Sequence, residues 1–428
     1  MAMALASVVF LCSLTLTLFL PSVCYYDVNN EKRGQPNEYN IQMVDTRTQP
    51  AAASQRHTTF QERLTVRKLK QNISQLSQEL RQYKIAVRIY EKLGKLMEKD
   101  SSLASFGNKF HQNVLLTSVP HSGSEFLGEL FNQNRDIFYL FEPFHSLKFF
   151  RENRPPEIYD SMVSSFLLGI FSCDFSKFHH FTEFLSRQYR ALPHRLSSRT
   201  LASPPLCPKV IPGLNYNIRL CSYLRPPMLS AICNLHAHTV VKTTQIIDLE
   251  RLGQLTDWES EPVFRVVELV RDPRAIVYTL LQEGLLYDNV TESFFTHESR
   301  KVCIQQLRNL KYAQNSRLGL KDRYILVKYE DLISKPVHAL DELYSFLGML
   351  EIARAHSLLA KVLRDGFTWP AVLNNDGTTG ELMNNRKNLT RSLKEWQTSL
   401  KEFQIRLIEQ ECLEIMSLLD YKIFQRNV

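Results

Sequence analysis

The sequence predicts an α/β protein with a P-loop-like parallel sheet flanked by helices, and two observations support this fold class. From about residue 109 onward, apolar segments of strand length alternate with segments of helical periodicity, the pattern of strand–helix–strand units. The first of these strands leads into a turn of small residues and then into a helical pattern, an order that makes an anion site. The predicted strands are residues 113–119, 137–143, 238–244, 263–270 and 323–332.

The N-terminus of the 428-residue chain is apolar from Ala2 to about Leu20, about the length that a membrane helix needs. We predict a signal-anchor, or transmembrane segment, within residues 1–24. A cleaved signal peptide is the alternative, with Ser22 and Cys24 as small residues at a possible cleavage site. In both cases the rest of the chain enters the secretory pathway.

Two segments separate this N-terminus from the predicted sheet domain at residues 109–428. Residues 25–57 contain few large apolar side chains and are predicted to be a flexible stem. Residues 58–100 are predicted to form an amphipathic or coiled-coil helix, which either pairs two chains into a homodimer or packs on its own domain. Its heptad seam consists of Val66, Leu69, Ile73, Leu76, Leu80, Tyr83, Val87 and Tyr90.

Glycosylation sequons and an even number of cysteines beyond the N-terminal segment agree with a secretory location. The sequon asparagines are Asn72, Asn289 and Asn388. The cysteines are Cys173, Cys207, Cys221, Cys233, Cys303 and Cys412. The sequence does not choose among their possible pairings. No Cys/His spacing suggests zinc, so we expect disulfides and no metal.

The net charge of +8 is weak evidence for a polyanionic partner, and no nucleic-acid-binding motif accompanies it. Residues 1–26 carry no charged side chain, whereas the predicted stem and helix are basic. The positive balance therefore lies mostly outside the sheet domain, and we expect no nucleic-acid partner.

The turn after the first strand reads HSGSEF and spans His121 to Phe126. A glycine-containing turn before a helix aims backbone N–H groups, and the positive end of the helix, at one anion. Gly123 permits close backbone approach, and Ser122 and Ser124 add hydroxyl donors. The turn lacks Walker A spacing and therefore does not indicate nucleotide triphosphatase chemistry. A plain strand–helix connection is the alternative.

A second anion site is predicted at the end of the strand 263–270. Arg271 follows this strand directly, and Thr279 lies eight residues later on the next helix, where its hydroxyl comes beside the guanidinium. The alternative is an arginine in a surface turn with Asp272. Two anion sites at adjacent strand ends fit one ligand with two separated phosphate groups.

Three stretches together resemble the Golgi carbohydrate 6-O-sulfotransferases, in particular the chondroitin 6-sulfotransferase and keratan sulfate galactose 6-sulfotransferase branch. They read HSGSEFLGELFNQNRDIFYLFEP, VVELVRDPRAIVYTLL and RYILVKYEDL, and the resemblance covers about residues 110–425. It implies the sulfotransferase fold, 3'-phosphoadenosine 5'-phosphosulfate as the sulfuryl donor without a metal, and a type II Golgi membrane protein with a lumenal catalytic domain. It also implies that the acceptor is a sugar hydroxyl on a glycan, at the 6-position of galactose, N-acetylgalactosamine or N-acetylglucosamine.

The resemblance assigns donor-binding roles to both anion sites. The residues expected at the 5'-phosphosulfate are His121, Ser122, Gly123, Ser124, Glu125 and Phe126, and those expected at the 3'-phosphate are Arg271 and Thr279. His121 stands where this branch has arginine, and Glu125 stands where a second serine is usual.

These two departures weaken the expected donor site. An imidazole binds a dianion less tightly than a guanidinium does. A carboxylate at Glu125 would repel the donor, unless it points outward and favours the helix end. The departures leave open a catalytically impaired relative that acts as a lumenal glycan- or protein-binding module.

Sulfuryl transfer to a sugar requires a base for the hydroxyl and positive charge near the transferred group. Glu142 ends a strand that we expect beside the loop and is the leading base; the alternative is that it fixes the following turn. His145 is the second base candidate. Lys242, at the end of the segment HTVVK in the strand 238–244, would neutralise the sulfonate with His121, unless the lysine is simply solvated.

Two weaker expectations complete the sequence analysis. Arg386, Lys387 and Trp396 in the C-terminal stretch would meet an acidic sugar, with a solvated face as the alternative. A lumenal nucleotide-dependent kinase would need metal-binding carboxylates near the loop, and the sequence offers no convincing pair.

Overall fold

A five-stranded sheet forms the centre of the protein, and each strand runs parallel to its neighbours. The structure is a computed structural model that describes residues 60–99, 111–187, 192–203, 206–207, 221–245, 248–255, 263–282, 291–315, 320, 322–349, 352–365 and 389–425. The strands are β1 Gln112–Ser118, β2 Ile137–Phe141, β3 His238–Thr243, β4 Phe264–Val270 and β5 Tyr324–Lys328. The predicted parallel sheet is confirmed.

Helices cover the sheet. The longer ones are α1 Phe60–Lys99, α2 Ser124–Asn132, α4 Pro156–Phe171, α5 His179–Arg187, α8 Pro226–Asn234, α9 Leu249–Leu255, α10 Pro273–Gln282, α11 Glu292–Gln314, α13 Pro336–Leu347, α14 Ile352–Asp365 and α17 Glu402–Leu418. The shorter ones are α3 Lys148–Asn153, α6 Leu192–Leu196, α7 Arg199–Ala202, α12 Tyr329–Ser334, α15 Leu389–Ser392 and α16 Glu395–Ser399, with a 3₁₀ helix at Pro143–Leu147.

The strand predicted at 323–332 is too long at its C-terminal end. Residues 329–332 belong to α12, which begins at Tyr329. Glu330 and Asp331 lie in its first turn, where carboxylates interact favourably with the positive end of a helix.

The strand order β2-β3-β1-β4-β5 places β1 at the centre. The chain moves from β1 to one side for β2 and β3, and then crosses to the other side for β4. Loops therefore diverge between β1 and β4, the switch point at which parallel sheets bind ligands beyond their carboxyl ends. The expectation that Glu142 follows a strand beside β1 is wrong, because β3 lies between β1 and β2.

Both faces of the sheet are buried, as the near-continuous apolar character of its strands requires. Leu115 of β1 packs in a cluster with Phe166 of α4, whereas Val114 and Leu116 pack on the opposite face with Phe131 of α2. A further cluster lies between α11 and the C-terminal helix α17. The sheet is therefore a rigid platform for the loops at its carboxyl ends.

Disulfide bonds join the six cysteines that the sequence analysis expected to pair. They are Cys173–Cys233, Cys207–Cys221 and Cys303–Cys412. The last bond links α11 to α17 and closes a separation of 109 residues. Such bonds persist in oxidising compartments, which agrees with a secretory location.

The predicted heptad helix is present as α1, and its seam is divided between two environments. Val66, Leu69, Ile73 and Leu80 are exposed, by 48% in the case of Leu80. Val87 instead packs against the core cluster of the sheet domain, and Glu91 pairs with Arg225 at 3.4 Å. Val87, near the end of α1, thus packs on its own domain, while Val66, Leu69, Ile73 and Leu80 of the seam are uncovered.

Several predicted features lie outside the described residues. These are the signal-anchor 1–24, the stem 25–57, the sequons Asn289 and Asn388, and the basic residues Arg386 and Lys387. Asn72 is exposed on α1. The described part of the chain contains no helix with the length and apolar character of a membrane span.

Candidate active site

The predicted anion loop connects β1 to α2, and its backbone is strongly bent. His121 has φ 65° and Gly123 has φ 87°. A Cβ atom on Gly123 would lie 2.4 Å from the ring of Tyr329, so both the left-handed backbone and the close approach require glycine. Helix α2 begins at Ser124, and two of its first-turn amides have local partners: the Phe126 amide donates to the Gly123 carbonyl at 3.0 Å, and the Glu125 amide contacts its own carboxylate.

The hydroxyl groups of the two loop serines, Ser122 and Ser124, differ in their hydrogen bonding. The Ser122 hydroxyl donates a hydrogen bond to the carbonyl of Val119 at 2.5 Å and holds the bend of the loop. We expected the Ser122 hydroxyl to donate a hydrogen bond to the ligand, but it is already engaged with the Val119 carbonyl. The Ser124 Oγ is buried and has no hydrogen-bond partner among the described residues, so it is the available hydroxyl of the loop.

Arg271 is buried and touches the loop directly. Its Nη1 donates to the carbonyl of His121 at 3.0 Å and lies 3.5 Å from the Thr279 Oγ1. Its guanidinium lies over the ring of Tyr329, 4.6 Å from the centroid. The alternative of a surface turn with Asp272 is wrong, because the Asp272 carboxylate pairs with Arg274 at 2.7 Å.

The two predicted anion sites therefore form one continuous region. The Nε of Arg271 is buried without a hydrogen-bond partner among the described residues, as is the Oγ of Ser124. Buried polar atoms are normally hydrogen-bonded, so each points to a missing acceptor. The donor set, a helix N-terminus plus a guanidinium, suits two phosphate groups of one molecule.

A buried ion pair lies next to this region. Lys242 is the penultimate residue of β3 and has no exposed surface, and its Nζ contacts the Glu142 Oε1 at 2.7 Å. Burial lowers the pKa of Lys242, but the charges of Glu125 and Glu142 raise it further, so the pKa lies above its ordinary value. The alternative of a solvated lysine is therefore wrong, and the buried amine carries its charge.

Glu142 is held in place by more than this lysine. It accepts hydrogen bonds from the Thr243 hydroxyl at 3.2 Å and from the Thr244 amide and hydroxyl at 2.9 and 3.0 Å. Its own amide donates to the Lys242 carbonyl at 2.8 Å. Glu142 precedes the 3₁₀ helix, but its side chain accepts hydrogen bonds from residues at the end of β3 and does not cap that helix.

Glu125 points inward, towards Lys242, and not outward. Its Oε1 lies 3.5 Å from the lysine Nζ, and its side chain is 35% exposed. Burial raises the pKa of Glu125, but Lys242, the residue's own backbone amide and His121 lower it more, so the pKa lies below its ordinary value. Lys242 is therefore shared between two carboxylates.

Two histidines complete the region beside Glu142. The His145 Nδ1 lies 3.8 Å from the Glu142 Oε2, and the ring of His145 lies against that of His194, with 4.6 Å between centroids. Burial lowers the pKa of His145 and brings that of His194 to about 4. Both rings are therefore neutral near pH 7.

Sequence reasoning missed several of these residues. Thr243 and Thr244 lie in a predicted strand, but no sequence pattern pointed to a role for them. His194 comes from α6, which is distant in sequence from Glu142. Tyr329 lies within the stretch RYILVKYEDL that carried the family resemblance, which was its only signal. The expectation that Trp396 meets a sugar is wrong, because Trp396 is buried against the guanidinium of Arg274, 4.1 Å from its ring centroid.

Among the described residues, no group of three or more His, Cys, Asp or Glu side chains is arranged to hold a metal ion. The groups that face one another here are a buried lysine, its carboxylate partners and an anion loop at a switch point. This arrangement is typical of enzymes that transfer a group from a phosphate-bearing donor.

Comparison with known proteins identifies the family. The family described as "Sulfotransferase domain" matches residues 111–419, so the chain belongs to that family and is a sulfotransferase. Carbohydrate sulfotransferase 3 of Mus musculus is 27% identical over 357 residues, which are 76% of this chain and 71% of that protein. Carbohydrate sulfotransferase 5 of Mus musculus is 32% identical over 269 residues, 58% of this chain and 66% of that protein. A solved sulfotransferase domain from the curacin biosynthetic pathway has a TM-score of 0.42 and 16% identity, and covers 73% of this chain and 99% of that one.

Proposed function

We propose that the protein uses 3'-phosphoadenosine 5'-phosphosulfate to sulfate a sugar hydroxyl on a glycosaminoglycan or glycoprotein glycan. The expected position is the 6-hydroxyl of galactose, N-acetylgalactosamine or N-acetylglucosamine. The observation that carries the proposal is the 3.0 Å contact between Arg271 and the carbonyl of His121, which brings both anion sites within reach of one nucleotide. The names of the relatives, carbohydrate sulfotransferases 3 and 5, support a sugar acceptor.

The unpartnered polar groups of the two anion sites support this donor. The donor supplies an activated sulfuryl group on a phosphate that serves as the leaving group. In the proposal, the first-turn amides of α2 and the hydroxyl of Ser124 bind its 5' end. Arg271 and Thr279 bind the 3'-phosphate, for which the buried Nε of Arg271 is available.

Lys242 has the position and charge to stabilise the reacting group. Preorganised charge in a water-poor site contributes the most to reactions in which negative charge shifts between oxygens. Glu142 fixes the amine through its 2.7 Å contact, so Lys242 needs little reorganisation to act. His121 lies in the loop close enough to lower the pKa of Glu125, and we propose that it assists Lys242 at the reacting group.

We assign the base role to Glu142. Its Oε2 makes the weaker contacts, 3.1 Å from the Thr244 amide and 3.2 Å from the Thr243 hydroxyl, so this oxygen most easily exchanges a donor for a sugar hydroxyl. His145, 36% exposed and neutral, is the second candidate. Glu142→Gln should lower kcat by about a hundredfold or more, whereas His145→Asn should leave kcat within about threefold if Glu142 is the base.

The test uses the full-length, detergent-solubilised chain. Adenosine 3',5'-bisphosphate should raise its melting temperature, and labelled donor should sulfate chondroitin or keratan at about pH 5.5–7.5, the range in which histidine titrates. Arg271→Ala should abolish the melting shift. Lys242→Ala should keep the shift but lose transfer, and the exposed Lys301→Ala is the matched control that should change neither.

A non-catalytic lumenal module that binds a glycan or protein is the second candidate, and the inward orientation of Glu125 favours it. This candidate predicts no melting shift with the bisphosphate and no transfer to any glycan. A clear ligand-induced shift would contradict it, because the shift requires an intact nucleotide site.

The resemblance and the disulfides support a Golgi membrane location with a lumenal domain. Deleting residues 1–24 should release a tagged chain from Golgi membranes. We further propose that the exposed part of the α1 seam pairs with a second copy, because four apolar side chains at heptad spacing are uncovered there. Ile73→Lys should turn a dimer into a monomer in light scattering if this pairing exists.

A further inference from the structure

A cavity of about 420 Å³ lies beside the candidate active site. Its wall includes Gln245, which follows directly after Thr244, the residue that binds Glu142 through its amide and hydroxyl. Gln245 lies three residues beyond Lys242, so the two Cα atoms are at most ~11 Å apart. The cavity is therefore within reach of a short oligosaccharide whose reacting hydroxyl lies at Glu142.

Three arginines line this cavity, and they have different partners. Arg251 is neutralised by Asp160 at 3.3 Å and Asp248 at 3.8 Å. Arg151 of α3 donates to the neutral amide oxygen of Gln245 at 2.7 Å and has no carboxylate partner among the described residues. Arg308 of α11 has no ion pair or hydrogen bond within the described part of the chain.

A buried hydroxyl belongs to one residue of the same cavity wall. Tyr159 of α4 is 8% exposed, and its Oη has no hydrogen-bond partner among the described residues. Burial is the largest effect on this phenol and raises its pKa; Arg151 lies near enough to lower the pKa, and Asp160 near enough to raise it. An O–H donor without an acceptor, in a wall where Arg151 and Arg308 have no carboxylate partner among the described residues, fits a ligand that brings negatively charged oxygens.

The remaining wall is partly acidic and partly apolar. Asp160 and Asp248 also line the cavity but are paired with Arg251, whereas Val163 and Leu252 provide an apolar surface that suits the carbon–hydrogen face of a sugar ring. A free phosphate or sulfate would leave such a surface uncovered. The combination of an apolar wall with unpaired cationic donors matches a sugar that carries an acidic group.

We propose that this arginine pocket, defined by Arg151, Tyr159 and Arg308, is an acceptor subsite for a negatively charged sugar next to the sugar that is sulfated. The charged group is a carboxylate or a sulfate ester, and the acceptor is thus an anionic glycan. The inference rests on the proposed function, because it takes Glu142 and Lys242 as the reaction centre.

Direct binding to the solubilised full-length chain tests the pocket without relying on activity. Four oligosaccharides of equal length are the probes: chondroitin, carboxyl-reduced chondroitin, keratan sulfate and desulfated keratan. We expect a charged form to bind at least about tenfold more tightly than its neutral counterpart. The comparison within the chondroitin pair shows whether the pocket recognises a carboxylate, and the comparison within the keratan pair shows whether it recognises a sulfate ester. Equal affinities within both pairs would overturn the inference.

Substitutions in the arginine pocket test whether the charged oligosaccharides bind there. Arg308→Gln and Arg151→Gln should each lower the affinity for the charged probe by about tenfold and leave the affinity for the neutral probe unchanged. Tyr159→Phe removes only the hydroxyl and should weaken the charged probe several-fold. Arg300→Gln, on the same helix as Arg308 and paired with Glu411, is the matched control and should have no effect. Charge-dependent binding that persists in both arginine variants would refute the assignment to this pocket.

The two proposals fail in different ways. If the bisphosphate shifts the melting temperature and sulfate is transferred, but KM is the same for charged and neutral acceptors, the pocket inference fails and the proposed function stands. If charged probes bind through Arg308 but no sulfate is transferred, the acceptor role fails together with the proposed function. Transfer with a KM that rises selectively for charged acceptors in Arg308→Gln supports both.

Discussion

Replacing Glu125 by serine should strengthen donor binding. The Glu125 Oε1 lies 3.5 Å from the Nζ of Lys242 and shares this lysine with Glu142. Unit charges at that distance interact by roughly 5 kcal/mol at an effective dielectric constant of 20 and by roughly 1 kcal/mol in water. Because the Glu125 side chain is 35% exposed, we take the lower part of this range, about 1–2 kcal/mol.

That free energy corresponds to about a tenfold change in affinity. Glu125→Ser should therefore lower the KM for the sulfated donor, whose sulfonate needs Lys242, by about tenfold, and should lower the Kd of adenosine 3',5'-bisphosphate, which lacks the sulfonate, by less. The pKa of Glu125 lies below its ordinary value, so its carboxylate stays charged and the gain should not change between about pH 5.5 and 7.5.

Calorimetric titration and donor-saturation kinetics measure these constants. Glu292→Gln, a change of an exposed first-turn glutamate on α11, is the control and should leave both unchanged. An unchanged or weaker donor affinity in Glu125→Ser would refute the competition argument, and would instead make Glu125 a residue that holds Lys242 in position.

Three other predictions concern the loop and the sheet. His121→Arg should raise donor affinity, measured by the same titration, because a guanidinium binds phosphate better than an imidazole; an unchanged Kd would show that the side chain does not meet the donor. Gly123→Ala should lower the melting temperature and abolish the bisphosphate shift, because its Cβ would overlap the Tyr329 ring; a wild-type shift would contradict this. Burial raises the pKa of Glu268 to about 7, so the folded state keeps a proton that the unfolded chain has lost, and stability should fall as pH rises from about 4.5 to 7. Glu268→Gln should remove this fall and be more stable than the wild type by up to about 3 kcal/mol at pH 8 but not at pH 4.5, as urea denaturation would detect.

The local elements of this fold could be predicted from the sequence because their causes are local. Uninterrupted apolar segments specify strands that are buried on both faces, and the turn at Gly123 follows from the need for a left-handed residue. The two anion sites followed from the rule that parallel strands present their carboxyl ends at one edge. The direct contact of Arg271 with the loop confirms that the two sites lie close together.

The strand order and the side-chain partners could not be predicted in this way. Nothing in the segment around Glu142 reveals that β3 separates its strand from β1, because the order depends on how the connecting helices pack. The orientation of Glu125 depends on the buried charge of Lys242, which lies 117 residues away. The pocket of Arg151 and Arg308 is likewise assembled from α3 and α11, which have no sequence signal in common.

The charges around Lys242 also explain why the loop backbone must carry much of the donor binding. Glu125 and Glu142 together outweigh the single charge of Lys242, and Arg271 is partly engaged with backbone carbonyls of His121 and Ser392. A donor with several negative charges therefore depends on the amides at the start of α2, one of which, that of Glu125, is occupied by the carboxylate of the same residue. Activity then requires that the donor displace Glu125 from its own amide and from Lys242.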